Sequence, residues 1–121
     1  MNKKISILLD YHYHFYFIDE LVEKMQTDFD VEIYKWDPQN EKGRLESIRD
    51  KDVIFCEWSA DNAVWYSKNK LPHQKLIIRL HRWELFTKHF FYINWDHVDA
   101  IIFIAPEIEK LAKQRLATYY S

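Results

Sequence analysis

Apolar residues along this chain occur in five short runs of strand length, separated by segments in which they recur with helical spacing. The runs cover residues 5–9, 31–34, 53–56, 76–80 and 100–104. Four of the runs are almost continuously apolar, which is typical of parallel strands with helices on both faces. The second run alternates apolar and polar residues, as an edge strand does. The pattern therefore predicts a parallel sheet covered by helices.

Two of the intervening segments present a clear apolar face. Its residues are Phe17, Ile18, Leu21, Val22 and Met25 in the first segment, and Ile108, Leu111, Ala112 and Leu116 in the last. Their spacing predicts two helices that pack on the sheet. Pro106 stands where the first turn of a helix tolerates proline. Weaker helical patterns over residues 42–50 and 61–70 complete the alternation of strands and helices.

This alternation predicts one α/β domain over residues 1–121, with a doubly wound, five-stranded parallel sheet and helices on both faces. Right-handed crossovers give a Rossmann-like or flavodoxin-like fold, for which we expect the strand order 3-2-1-4-5. Ligands of such sheets bind beyond the carboxyl ends of the strands, where the strand order reverses. We therefore expect residues 10–15 to face residues 80–84 across a crevice, with Glu57 and Trp58 on the same rim.

The composition excludes several classes of function and of cellular compartment. With 48% hydrophobic and 30% charged residues the chain is globular, and its net charge of -2 gives no basic surplus, so we expect no nucleic-acid partner. Cys56 is the only cysteine, which excludes an internal disulfide and fits a reducing compartment, hence the cytoplasm. The apolar run at residues 5–9 is too short for a signal peptide or a membrane span.

The strongest candidate site is the cluster Arg79-x-His81-Arg82-x-Glu84 at a strand-to-helix transition. Guanidinium groups bind phosphate or carboxylate, an imidazole donates or accepts hydrogen bonds at neutral pH, and a carboxylate can orient a sugar hydroxyl. The cluster therefore indicates a polyhydroxylated or phosphorylated ligand. The alternative is structural: Arg79 lies at a helix–sheet boundary, Arg82 and Glu84 are solvated, and His81 closes the strand.

The loop at residues 10–15 contains no glycine, so it is not a phosphate cradle for a nucleotide, and we expect no cofactor. His12 and His14 could bind a metal with His81 or Glu57, but an H-x-H spacing is weak evidence and we expect no metal site.

Glu57 and Trp58 pair a carboxylate with an indole, which could hold a sugar by hydrogen bonding and stacking. The alternative is that Trp58 only caps the edge of the sheet. We expect Cys56 to be a buried residue at a strand end and not a nucleophile.

A dense group of aromatic residues follows the cluster, with Lys88 and His89 among them. Its members are Trp83, Phe86, Phe90, Phe91, Tyr92 and Trp95. We favour a satellite core beneath the loop at residues 96–99. The alternative is an exposed surface for a partner domain, a membrane or a lipid-linked substrate.

Two segments carry a family resemblance: residues 75–84, with the sequence KLIIRLHRWE, and residues 93–104, with the sequence INWDHVDAIIFI. Together with residues 52–58 and 62–67 they resemble the N-terminal half of GT-B glycosyltransferases. The similarity is closest to bacterial enzymes of family four, which build surface polysaccharides. It extends over residues 52–116 and, more loosely, residues 5–25.

The resemblance implies a Rossmann-like half that holds mainly the acceptor, while a second half binds the nucleotide-sugar donor. It implies that His81, matched to the histidine after the fourth strand, approaches the donor sugar in the closed cleft. We accordingly expect His81 and Glu84 to be catalytic and the following residues to bind substrate: Arg79, Arg82, Glu57, Trp58, His12 and His14.

The chain differs from that family in its glycine-free first loop and in ending at Ser121, before a donor half. We therefore expect it to be inactive alone, with the donor bound by a C-terminal domain or a partner chain. A crystallised fragment, a truncated gene product and one subunit of a split enzyme are all compatible with this expectation.

The expected function is transfer of a sugar to a glycan or lipid-linked acceptor, in the cytoplasm or at the inner face of the membrane, with a peripheral membrane contact as an option. The alternative is a non-enzymatic, flavodoxin-like ligand-binding or interaction domain. Its response-regulator version is excluded, because a receiver needs clustered acids, an aspartate and a lysine where the chain has Asp10 alone, Cys56-Glu57 and Ala105-Pro106.

Overall fold

The computed structural model describes residues 5–11, 16–57 and 60–120, and five parallel strands within these ranges form one sheet. Each strand corresponds to one of the five apolar runs. The strands are β1 (Ser6–Tyr11), β2 (Asp30–Lys35), β3 (Val53–Glu57), β4 (Lys75–Leu80) and β5 (Ala100–Phe103).

The connections between the strands are helical. The α-helices are α1 (Tyr16–Asp28), α2 (Glu41–Ile48), α3 (Asp61–Asn69), α4 (His89–Tyr92) and α5 (Pro106–Tyr120), and two 3₁₀ helices span Arg82–Phe86 and Trp95–His97. The four predicted helices are present, whereas α4 and the 3₁₀ helices lie in the aromatic segment, where the sequence has no helical period.

The predicted fold class is confirmed, but the predicted strand order is wrong. The order is 2-1-3-4-5 and not 3-2-1-4-5, so β2 is the edge strand and β3 lies between β1 and β4. Right-handed crossovers allow either order, so they could not decide between them. The strand sequences could have done so, because β2 alternates while β3 is almost continuously apolar, as a central strand is. The order therefore reverses between β1 and β3.

The sheet separates two hydrophobic cores. On one face, α1 covers a small core around Ile7, Leu9, Val22 and Phe55. On the other face, residues of α2, α3, α4 and α5 surround a larger core built on Leu8, Ile54 and Ile78. Because α5 joins this larger core, no helix in the described part of the chain covers β5 on the α1 face, and Ile102 is 42% exposed there.

The register aligns residues near the carboxyl ends of β1, β3, β4 and β5 in two rows across the sheet. One row is Tyr11, Glu57, Arg79 and Ile102, and the adjoining row is Asp10, Cys56, Ile78 and Ile101. Neighbouring rows point to opposite faces, since successive side chains of a strand alternate. Asp10 and Glu57 therefore lie on opposite faces of the sheet. We expected residues 10–15 to face residues 80–84 across a crevice. For Asp10 this expectation is wrong, because β3 lies between β1 and β4.

Candidate functional site

Glu57 organises a charged cluster at the end of β3. Its carboxylate is fully buried, with Oε1 2.7 Å from Nε2 of His81. Its Oε2 accepts a hydrogen bond of 3.2 Å from Nη1 of Arg79. A buried carboxylate is tolerated only when it is paired and hydrogen-bonded, and these two side chains supply both conditions. Three of the residues predicted to form the site are therefore brought together.

His81 also begins the 3₁₀ helix Arg82–Phe86. Its side chain accepts the backbone N–H of Glu84, and Oε2 of Glu84 accepts the backbone N–H of His81 at 3.1 Å. Because Nε2 faces Glu57, Nδ1 is the ring nitrogen that accepts the Glu84 amide. An accepting Nδ1 carries no proton, so Nε2 carries it and donates to Glu57. The cluster thus orients the His81 ring through both of its nitrogens.

The burial of these residues bears on their predicted roles. His81 is 7% exposed and Glu84 is fully buried, so Glu84 is not the solvated residue of the structural alternative. His81 does close strand β4, as that alternative has it. In this arrangement both side chains act as positioning residues for the turn after β4. Their catalytic roles stay predictions.

The side chains of Arg79 and Arg82 lie in different parts of the surface. Arg82 is exposed and borders a shallow cavity of about 300 Å³ beside α5, away from Glu57. Arg79 lines a groove of about 380 Å³ between α1 and the sheet. The groove is lined by Glu20, Leu21, Lys24, Phe55, Arg79 and Ile102. A ligand in it would meet an apolar floor and reach the charged cluster through Arg79.

A second buried carboxylate, Asp10, lies on the α3 face at the end of β1. Its Oδ1 accepts from Nδ2 of Asn62 at 2.9 Å, and its Oδ2 accepts from the Tyr66 hydroxyl at 2.7 Å. Oδ1 of Asn62 accepts the backbone N–H groups of Ala60 and Ala63, at 3.0 and 2.8 Å, which fixes the orientation of the amide. Asp10 therefore ties the start of α3 to β1.

Burial raises the pKa of Asp10 from 3.8 to about 7, although the hydrogen bonds from Tyr66 and Asn62 and the charge of Arg44 lower it. Burial together with the charge of Asp10 raises the pKa of Tyr66, so Tyr66 remains a hydrogen-bond donor. Arg44 itself is buried between Trp36 and Trp65, with its guanidinium carbon 4.3 and 4.6 Å from the two ring centroids.

Sequence reasoning missed the partners of Asp10. Asn62 and Tyr66 are 52 and 56 residues away from it along the chain, and nothing in their local pattern links them to β1. The available signal was Asp10 itself, because a charged residue at the end of an apolar strand needs partners if it is buried. That signal indicates a buried polar group without identifying what binds it.

Three predicted site residues, His12, His14 and Trp58, lie outside the described residues, so their roles stay predictions. Among residues 5–11, 16–57 and 60–120, no three His, Cys, Asp or Glu side chains are arranged to hold a metal ion. Cys56 is fully buried, as predicted, and burial raises the pKa of its thiol well above the usual value. A buried thiol of raised pKa is a poor nucleophile.

The aromatic segment contains both buried and exposed residues. Phe90 is fully buried, and its carbonyl accepts a hydrogen bond of 3.0 Å from Nε1 of Trp95, but it belongs to the larger core around Leu8 and not to a separate satellite core. Phe86 and Tyr92 are 56% and 53% exposed, as an interaction surface requires.

None of the helices in the described ranges combines the length and the apolar character needed to cross a membrane.

Comparison with known proteins gave no match among protein-family models, curated proteins or solved structures. Function therefore has to be inferred from the residues and their geometry. The strongest candidate for a functional site is the cluster of Glu57, Arg79, His81 and Glu84. It combines a buried charge, an imidazole held in a fixed orientation and an adjoining groove.

Proposed function

We propose that this chain is the acceptor-side domain of a glycosyltransferase, which acts in transfer of a sugar from a nucleotide-sugar donor to a glycan or lipid-linked acceptor during surface polysaccharide synthesis. The buried cluster of Glu57, Arg79 and His81 at the carboxyl edge of the sheet carries the proposal. It lies beside the reversal of strand order, where doubly wound sheets bind ligands. Its residues also belong to the segments that resemble GT-B enzymes.

Arg79 is the member of the cluster that a ligand can reach. Its side chain is 25% exposed, compared with 9% for His81 and 0% for Glu57. Glu57 holds the guanidinium and the imidazole at the same time, so both are oriented before a ligand arrives. Preorganised groups of this kind bind hydroxyl and phosphate groups with less loss of side-chain freedom. An acceptor would therefore contact the cluster through Arg79, with its apolar part in the groove.

The donor site belongs, in this proposal, to a domain or chain other than residues 5–120. His81 would contact the donor sugar through its Nε2–H. This group would then donate to a sugar hydroxyl in place of Glu57. The proposal places the protein in the cytoplasm at the inner face of the membrane, where Phe86 and Tyr92 could contact the lipid surface.

A non-enzymatic ligand-binding or interaction domain is the second candidate, and one observation favours it. Both ring nitrogens of His81 and the Oε2 atom of Glu84 are hydrogen-bonded within the chain. Residues that are engaged in this way can shape a binding surface without performing chemistry. The two candidates differ in whether His81→Ala lowers sugar transfer when the donor-binding partner is present.

Calorimetric titration of the purified chain tests the proposed acceptor site. Oligosaccharides and short-chain prenyl-pyrophosphate saccharides should bind, whereas nucleotide sugars should neither bind nor be turned over. Arg79→Lys keeps the charge but loses the planar fork, so it should weaken acceptor binding by roughly tenfold. The matched control is Arg49→Lys, at an exposed arginine after α2, which should bind like the unaltered chain.

Two results would contradict the proposal. Equal acceptor affinity for the Arg79→Lys variant and the control would remove Arg79 from the site. Turnover of a nucleotide sugar by the chain alone would show that the donor site is not elsewhere.

A further inference from the structure

The two edges of the sheet differ in how they are protected. The edge strand β2 carries Asp30, Glu32 and Lys35, and charges of this kind keep an edge strand from pairing with another chain. The opposite edge is formed by β5, and this strand with the two residues after it has the sequence AIIFIA over residues 100–105, without charge, proline or glycine. An exposed, apolar and uncharged edge strand is the kind that pairs with a further strand.

The outer side of β5 offers unpaired main-chain groups. The N–H of Asp99 donates to the carbonyl of Leu76 at 2.9 Å, so residue 99 directs its main chain toward β4. Main-chain groups of successive strand residues point to alternate sides, which directs those of Ala100 and Ile102 outward, and Ile104 is the first residue after the strand. Within the described residues β5 pairs only with β4. Ile102 and Ile104 are also 42% and 46% exposed.

We propose that β5 pairs antiparallel with β5 of a second copy of this chain, about a two-fold axis through Ile102. This axis places Ile102 opposite its own copy and Ala100 opposite Ile104 of the second copy. Ile102 and its copy then exchange both main-chain hydrogen bonds, and the pairing of Ala100 with Ile104 extends the strand by one residue past Phe103. Such an interface is isologous, as in most dimers of identical chains.

Neighbouring positions of the axis fit less well. An axis through Phe103 would place Ala100 opposite Pro106, which has no N–H to donate. An axis through Ile101 would require the N–H of Val98, which already donates to the carbonyl of Trp95 at 3.2 Å. The axis through Ile102 avoids both problems.

Side chains and charges are also compatible with this pairing. The cross-strand neighbours on the α5 face are Ile101 and Phe103, and no like charges lie opposite each other along residues 100–104. Helix α5 packs on β5 and begins with Glu107 and Glu109, followed by Lys110 and Lys113. Glu109 is ion-paired with Lys113 of the same helix at 3.1 Å, so this acid and this base offset each other within each copy.

Light scattering over a wide range of protein concentration tests the interface. The unaltered chain should change from monomer to dimer as concentration rises. Ile102→Lys places a charge on the edge and should leave only monomer. The matched control is Ile33→Lys, at a similarly exposed residue of the β2 edge (47%), and it should still dimerise. A chain that is monomeric throughout, or an Ile102→Lys variant that dimerises like the control, would overturn the proposal.

Disulfide trapping tests the register without adding a charge. In a hydrogen-bonded antiparallel pair the Cα atoms are about 5.5 Å apart, a spacing that a disulfide spans. Ile102→Cys should therefore form covalent dimers on oxidation, and the native Cys56 is fully buried and does not compete. Ile104→Cys faces Ala100 of the second copy and should cross-link only when Ala100→Cys is also present. Equal cross-linking by the two single variants would contradict a two-fold axis at Ile102.

Discussion

At the scale of single residues, the carboxyl edge of the sheet contains two buried carboxylates with different partners. Glu57 is bonded to the guanidinium of Arg79 and to the imidazole of His81. Asp10 is bonded only to neutral donors, the Asn62 amide and the Tyr66 hydroxyl. Neutral donors offset less of the cost of burying a charge, which explains why burial dominates and raises the pKa of Asp10.

The raised pKa makes Asp10 a source of pH-dependent stability. Its pKa is about 7 in the folded chain and 3.8 in the reference state, so the fold favours the protonated form. The resulting stabilisation is complete below pH 3.8 and is lost as pH rises through about 7. The loss amounts to about 4 kcal/mol, at about 1.4 kcal/mol for each pH unit of the shift.

Asp10→Asn should remove this dependence, because an amide does not ionise. The free energy of unfolding of the variant, relative to that of the unaltered chain, should therefore rise by about 4 kcal/mol between acid and mildly alkaline pH. Urea unfolding at a series of pH values measures it. Parallel profiles for the two proteins would show that Asp10 does not titrate in this range.

At the scale of elements, the link between β4 and the 3₁₀ helix Arg82–Phe86 depends on Glu84. Glu84→Ala would leave the buried N–H of His81 without its acceptor, and we expect a loss of about 1–3 kcal/mol in stability. Glu84→Gln retains an accepting oxygen and should lose about 1 kcal/mol or less. Unfolding in denaturant compares the two variants. Equal losses would mean that the cap does not hold this turn.

The elements themselves were largely predictable from the sequence, because helical and alternating periods are local. All five strands and the four longer helices fall where apolar residues recur with the appropriate spacing. The predicted order of the strands was wrong, because the order depends on which strands become neighbours in the sheet. The alternating sequence of β2 already indicated an edge position, and the order 3-2-1-4-5 disregarded it.

At the scale of the whole molecule, the site combines residues that the sequence separates. The proximity of Arg79, His81 and Glu84 was visible as a motif, whereas the bond from Glu57 depends on β3 lying beside β4. The burial of Glu84 was not predictable either, since it depends on where the 3₁₀ helix packs. Helix α1 covers only part of its face of the sheet, which leaves the groove that Arg79 lines.

The central claim is that a sugar acceptor binds where Arg79 joins the groove to Glu57 and His81. Titration of the isotopically labelled chain with an acceptor oligosaccharide, followed by amide chemical shifts, tests it most directly. We predict shifts at the ends of β3 and β4, around Glu57 and from Arg79 to Glu84, that disappear in Arg79→Lys and persist in Arg49→Lys. Shifts confined to another surface, or none with any saccharide, would contradict the claim.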